Sequence, residues 1–205
     1  MKRQTVVEAL VFISLVAGGT WLRWHFRELP NFAPVAALAL FSGYFFRSWI
    51  VGLAVPLSVM MISDQWIGGY HPVMMIVVYG MLAVPVAMRN GMRRYFPIQR
   101  LTDQNGAGQR RRLPSTLRAV TGLFGCSLLG AVAFFVVTNF AHWIFFQSYA
   151  MTATGLIHCY VQALPFFRYT LAGDALFGLC LFSSYAIAAN LGSAAAPTKR
   201  MNYAG

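Results

Sequence analysis

Polar residues in this chain come in clusters, and the apolar runs between them are long. Six runs follow one another: Thr5–Leu22, Leu29–Phe46, Ser48–Ser63, Pro72–Met88, Ala119–Thr138 and Tyr169–Leu191. Each comes near the roughly 20 apolar residues that a helix needs to cross a bilayer. Backbone N–H and C=O groups find no partner in lipid, so a spanning segment must bond to itself, which a helix does. No ten-residue alternation of a membrane barrel appears. The pattern therefore predicts an all-α membrane protein with six transmembrane helices. Pro34, near the start of the second run, is tolerated in a first helical turn. Pro56 and Pro85 are expected kink points in the third and fourth.

A further apolar stretch, residues 140–167, is interrupted by Gln147, Ser148, Thr152, Thr154, His158 and Gln162. It is too polar for a crossing. The expectation is one or two short extra helices, lying at the interface or dipping in and returning, in the outer loop between helices five and six. Residues 5–22 imitate a signal peptide, but no small-x-small cleavage site precedes the bulky WLRWHF, so a retained first helix is expected.

Charge sets the orientation. With the N-terminus inside, thirteen of the sixteen Lys and Arg residues fall on the inner side; Arg23, Arg27 and Arg168 fall outside. The positive-inside rule then puts both termini in the cytoplasm. Residues 1–192 are expected to form one six-helix domain with a cytoplasmic loop at 89–118, and 193–205 a cytoplasmic tail. The expected location is a bacterial inner membrane.

Composition agrees with lipid as the solvent. The chain is 58% hydrophobic and 10% charged, with mean hydropathy +0.59, against about 25% charged for a soluble domain. The net charge of +11 raises nucleic acid as a partner. No basic face is interleaved with exposed aromatics, so that class is set aside; loop 89–118 is read as an anchor on anionic headgroups. Cys126, Cys159 and Cys180 show no CxxC spacing, so neither a disulfide framework nor a cysteine metal site is expected.

Under this topology the candidate chemistry lies on one side. His25, His71, His142 and His158 all map outside, with Asn31, Asp64, Asn139, Trp143, Arg168 and the outer turn of helix six, where Asp174 stands. A carboxylate at membrane depth costs roughly 2.5–3.5 kcal/mol on insertion scales. Asp174 is therefore either a helix-start acid with Arg168 as partner or a residue lining a polar cavity. Asp64 either caps a turn, with Gly68 and Gly69 making the bend, or lines the same cavity. Asn31 and Asn139 are helix-end hydrogen-bonding groups or ligand contacts. No HxxxH or HExxH pair occurs among the histidines, and no metal or cofactor is expected. Small residues recur at four-residue spacing, Ala33 with Ala37 and Gly122 with Cys126 and Gly130, as helix-packing faces or a docking face.

The segments NFAPVAALALFSGYFF, SDQWIGGYH, TNFAHW and YVQALPFFRYTLAGDALF resemble an uncharacterised family of small bacterial membrane proteins. That family is similar in layout to the substrate-binding S components of energy-coupling factor vitamin transporters, the solitary cobalamin-type group most of all. The resemblance implies six helices, an outward vitamin pocket and docking on an energy-coupling membrane subunit served by ATPases. The cobalamin-type group has a cysteine near the third loop where this chain has none; His71 stands nearest. The implied function is capture of a small vitamin-like nutrient, with Asn31, Asp64, His71, Asn139, His142, Trp143, Arg168 and Asp174 as ligand contacts. The chain has no Walker motif, and no GxSG or HExxH signature of an enzyme. The alternatives are an intramembrane enzyme pairing His142 with Asp174, and a structural subunit.

Overall fold

The computed structural model describes residues 3–95 and 116–194. Among these, all regular structure is helical: α1 Arg3–His25, α2 Val35–Phe45, α3 Trp49–Ile67, α4 Pro72–Met81, α5 Ala83–Ala87, α6 Arg89–Tyr95, α7 Thr116–Phe146 and α8 Ala153–Ala194. Five segments are long and apolar enough to cross a membrane: Gln4–His25, Trp49–Ile67, Pro72–Arg94, Ala119–Phe146 and Ala153–Ala189. The described chain is thus an all-helical, multi-pass type of membrane protein. Most of the loop expected at 89–118, and the tail from 195 onward, lie outside the described residues.

The second run behaves differently from the other five. Only Val35–Phe45 is helical, 11 residues, or about 16 Å at 1.5 Å per residue. Pro30 and Pro34 interrupt the helix ahead of it, and Asn31 takes a left-handed φ of 60°. Residues 26–34 are a loop instead. Residues 27–31 of this loop are exposed, whereas α2 is buried on nearly every side. Helix α1 runs parallel to α3, with Gly19 against Val59 and Arg23 against Asp64. Loop 26–34 and α2 together carry the chain back between them.

Lipid tails are as apolar as leucine, so burying α2 gains little from the hydrophobic effect; packing and polar bonds must hold it. The Ser42 hydroxyl donates to the carbonyl of Gly52 on α3 at 2.7 Å. A Cβ on Gly43 would stand 2.8 Å from the Val86 Cα of α5, so only glycine fits there. At the inner end, Phe41 and Tyr44 of α2 pack on Phe182 and Tyr185 of α8 and on Met92 of α6. Arg93 donates to the carbonyls of Tyr44 at 3.0 Å and Phe46 at 2.8 Å, a cationic cap on a helix C-terminus. Arg89 donates to the Arg47 carbonyl at 2.6 Å. These two arginines, which the sequence shows only as inner-side charges, are structural.

Between Pro72 and Tyr95 the helix breaks into α4, α5 and α6; the first break, at Leu82, lies where Pro85 has no N–H to give the preceding turn. Gly130 of α7 faces the Pro85 ring: a Cβ on Gly130 would lie 3.7 Å from the ring Cγ, an ordinary contact. Pro56, by contrast, leaves α3 continuous.

Residues 140–167 correct the expectation of short extra helices. They continue α7 and α8, which reach 31 and 42 residues. The turn between them spans residues 147–152, with Gln147 at φ 50° and the Trp143 indole donating to the Ala150 carbonyl at 3.0 Å. Tyr160 donates to the Val136 carbonyl at 2.8 Å, stitching the antiparallel pair. Helix α8 is about 63 Å long, and even at a 40° tilt it spans about 48 Å, more than the ~30 Å hydrocarbon core.

The small residues expected as a docking face are inside the bundle. Ala37, Gly122 and Gly130 are buried, and Ala33 packs with the Val35, Leu38 and Val59 cluster. Their burial leaves these four positions packed within the bundle.

Candidate functional site

The outer end of α2 begins without a side-chain cap: Pro34 occupies that position and has no group to offer. Around this end the bundle gathers polar side chains from four elements. Helix α1 brings Thr20 and Arg23, α3 brings Ser63 and Asp64, α4 brings Tyr79, and α8 brings Asp174.

Asp64 is in the last turn of α3 and is buried, 6% exposed. Arg23 Nη1 donates to its Oδ1 and to the Ser63 hydroxyl. Tyr79 donates its phenol proton to Oδ2 at 2.6 Å. Both carboxylate oxygens are therefore occupied. Arg23 uses Nη1 for both bonds, and a guanidinium carries five N–H donors; its side chain is 15% exposed, so donors remain for a ligand. Next to this network Tyr70, in the 68–71 connection, has its phenol pushed up to about 12, first by burial and then by the charge of Asp64. It is a neutral hydroxyl at physiological pH. Gly68, at φ 98°, closes α3 through its N–H to the Asp64 carbonyl at 3.1 Å.

Asp174 is the other deep carboxylate, 3% exposed, and its Oδ2 has no hydrogen-bond partner among the described residues. Thr20 Oγ1 shares that condition. Gly173 brings α8 close to the loop: a Cβ there would lie 3.4 Å from the Ala33 N and O and 3.5 Å from the Phe32 ring. Asp174 is therefore at the level of the N-terminal end of α2, whose dipole favours a negative charge. One turn along α8, Phe177 meets Phe26 and Phe32 with ring centroids 6.0 and 5.4 Å apart, and Phe26 meets Phe32 at 5.2 Å.

The other residues singled out from sequence lie elsewhere. Asn139 donates to the Phe135 carbonyl of its own helix at 2.8 Å. His142 stacks on Phe146 at 4.8 Å, and His71 meets the same ring at 4.9 Å. Tyr149 links His142 to His158. These residues, with Trp143, form an aromatic and histidine cluster at the tip of the α7–α8 hairpin. The Cys159 thiol donates to the Asn139 carbonyl across the hairpin, and Asp174 is fifteen residues further along α8, about 22 Å away at 1.5 Å per residue. The tip and Asp174 are separate places, while His71, next in sequence to Tyr70, leads from the tip toward the Asp64 network. Arg168 is exposed and lies over the Tyr169 ring at 5.1 Å, so it is not the partner of Asp174. Asn31 is exposed on loop 26–34. No group of three or more metal-ligating side chains occurs among the described residues.

From sequence Arg23 is only an outer-side charge. Its partner is 41 residues away, and no local spacing announces such a pair; a lone arginine late in an apolar helix is the available signal.

A groove of about 640 Å³ runs along the outer face of α1 and α3, bounded by Trp21, Trp24 and Trp66, with Thr20 also in its lining. Its lining is apolar apart from the Thr20 hydroxyl and the indole N–H groups.

The chain belongs to a family of unknown function, DUF6580, whose model matches residues 1–196. Comparison with curated proteins and with solved structures returned no match.

Proposed function

We propose that this member of a family of unknown function is a membrane substrate-capture protein, similar in role to the S components of vitamin transporters. It takes a small vitamin-like nutrient from the outer side of a bacterial inner membrane. One observation carries the reading: the two buried carboxylates among the described residues, Asp64 and Asp174, both stand around the outer end of α2, with Arg23 on the first of them. Ionisable groups inside a membrane bundle are costly and by default mark a substrate or ion path. Arg23 donors, the Thr20 hydroxyl and the Asp174 carboxylate are polar groups with capacity left over, set among aromatic rings, as small-molecule sites are built.

The parallel course of α1 and α3 supports six traversals, with α2 and its loop as the short one, and the excess of Lys and Arg supports cytoplasmic termini. With no Walker motif in the chain, an energised cycle needs an energy-coupling membrane subunit and its ATPases. The separation of His142 from Asp174 favours capture over an acid–base enzyme.

The test is mass spectrometry of small molecules that co-purify in mild detergent, comparing the native chain with the double variant Arg23→Met, Asp64→Asn. A compound carried by the native chain and lost from a folded double variant supports capture. A native chain that carries none across several growth media contradicts it.

A further inference from the structure

Resting on the reading of the outer end of α2 as a capture site, we propose that the captured molecule carries an organic cation, held by the Asp174 carboxylate against the faces of Phe26, Phe32 and Phe177.

The charge balance of the deep site points there. Among the described residues the ion pairs are Arg23 with Asp64 and Arg27 with Glu28. The first pair neutralises itself, and the second is exposed. Asp174 is left, among the described residues, as the one buried carboxylate without a cation, with Oδ2 lacking any hydrogen-bond donor. Arg168 is engaged elsewhere, over Tyr169, and His25, stacked on Trp21 at 5.1 Å, borders the site only through its edge contact with Phe26. A buried carboxylate without a donor either holds a proton or takes up a counter-charge, and an arriving cation, together with the N-terminal end of α2, favours the charged form. An anionic ligand would meet repulsion here.

The surroundings select the kind of cation. Three phenyl rings converge one turn from the carboxylate, and aromatic faces attract alkylammonium groups through the ring quadrupole. A metal ion would want several oxygen or nitrogen ligands, and no such group of side chains is present among the described residues. A substituted ammonium or a cationic heterocycle fits both the carboxylate and the rings.

Two of the three rings ride on loop 26–34, whose residues 27–31 are exposed. The rings touch one another, so a ligand replaces one of these ring contacts, and the loop is the part that yields. Its backbone bonds are few: Phe26 N to the Leu22 carbonyl at 2.9 Å, Arg27 N to Trp24 at 3.4 Å, Leu29 N to Phe26 at 2.9 Å and Phe32 N to Leu29 at 3.3 Å. Asn31 at φ 60° adds a conformation that non-glycine residues rarely hold.

The test uses the full chain in detergent with two probes, benzyltrimethylammonium and benzoate, followed by microscale thermophoresis. The expected result is saturable binding of the cation and none of benzoate. Asp174→Asn weakens the cation by roughly tenfold or more, as loss of a charge-assisted contact does, and Asp174→Glu retains most of the affinity. Phe177→Leu, which keeps the apolar volume, weakens it by about threefold, the size of a cation–π contribution; this variant decides the matter if Asp174→Asn does not fold. Equal binding by the native chain and Phe177→Leu, or a preference for benzoate, overturns the proposal. The co-purified compound separates this failure from the broader one. A neutral or anionic compound lost from the Arg23→Met, Asp64→Asn variant leaves capture standing and overturns the cation; no compound and no probe binding overturn both.

Discussion

The two ends of α2 are built on opposite principles. At the inner end every conspicuous polar group has a partner: Arg93 covers the terminal carbonyls, Ser42 reaches across to Gly52, and aromatic rings fill the space between α2 and α8. At the outer end Pro34 gives no cap, Thr20 and Asp174 hold oxygens without a partner among the described residues, and Arg23 has donors left over. One end makes the short helix stable. The other retains hydrogen-bonding capacity that stability alone does not require, the pattern expected where binding opposes folding.

The largest expected effect comes from breaking the ion pair. Arg23→Met leaves Asp64 buried without its cation and should cost about 3–5 kcal/mol, read as a fall in detergent melting temperature. Adding Asp64→Asn should recover a large part of it. No recovery would mean that Arg23 acts through packing alone. Next, Tyr79→Phe removes one bond to a charged acceptor and should cost about 1.5–3 kcal/mol.

At the inner end, Gly43→Ala drives a methyl into the Val86 backbone at 2.8 Å and should cost about 1–3 kcal/mol, as overpacking does, without altering ligand selectivity. A selectivity change would blur the distinction between the two ends. Asp174→Asn should sharpen it: removing an unpaired buried charge should leave ligand-free melting unchanged or raised, by up to about 1 kcal/mol. A large loss there would assign Asp174 to the structure instead.

The smallest effect concerns Tyr70. Its folded pKa, about 12, lies above the ordinary 10.0. The neutral phenol therefore contributes stability that is whole below pH 10 and is lost as pH rises toward 12. Tyr70→Phe should flatten that part of the melting profile.

Five crossings are legible in the sequence because hydropathy summed over a whole helix is robust to single residues: each run apart from Leu29–Phe46 lies within, or continues through, one of the long segments. The second run misleads because Pro30, Asn31 and Pro34 are few enough to vanish in an average yet sufficient to stop a helix. Residues 140–167 mislead for the opposite reason. Asn139, His158 and Gln162 look like interruptions, but Asn139 bonds one turn back and Gln162 contacts His158 one turn away at 3.1 Å, so the helix carries them. Asp64 and Asp174 are visible as carboxylates in apolar sequence. Their surroundings are not: Arg23, Tyr79 and the three phenylalanines reach them from distant parts of the chain, and only the packing of α2 brings those parts together.

Hydrogen–deuterium exchange of the full chain in detergent, with and without a small-molecule extract of its growth medium, tests the difference between the two ends most directly. The account predicts slowed exchange in loop 26–34 and the first turn of α2, with α6 and the last turn of α2 unchanged. Equal protection at both ends, or protection confined to the inner end, would contradict it.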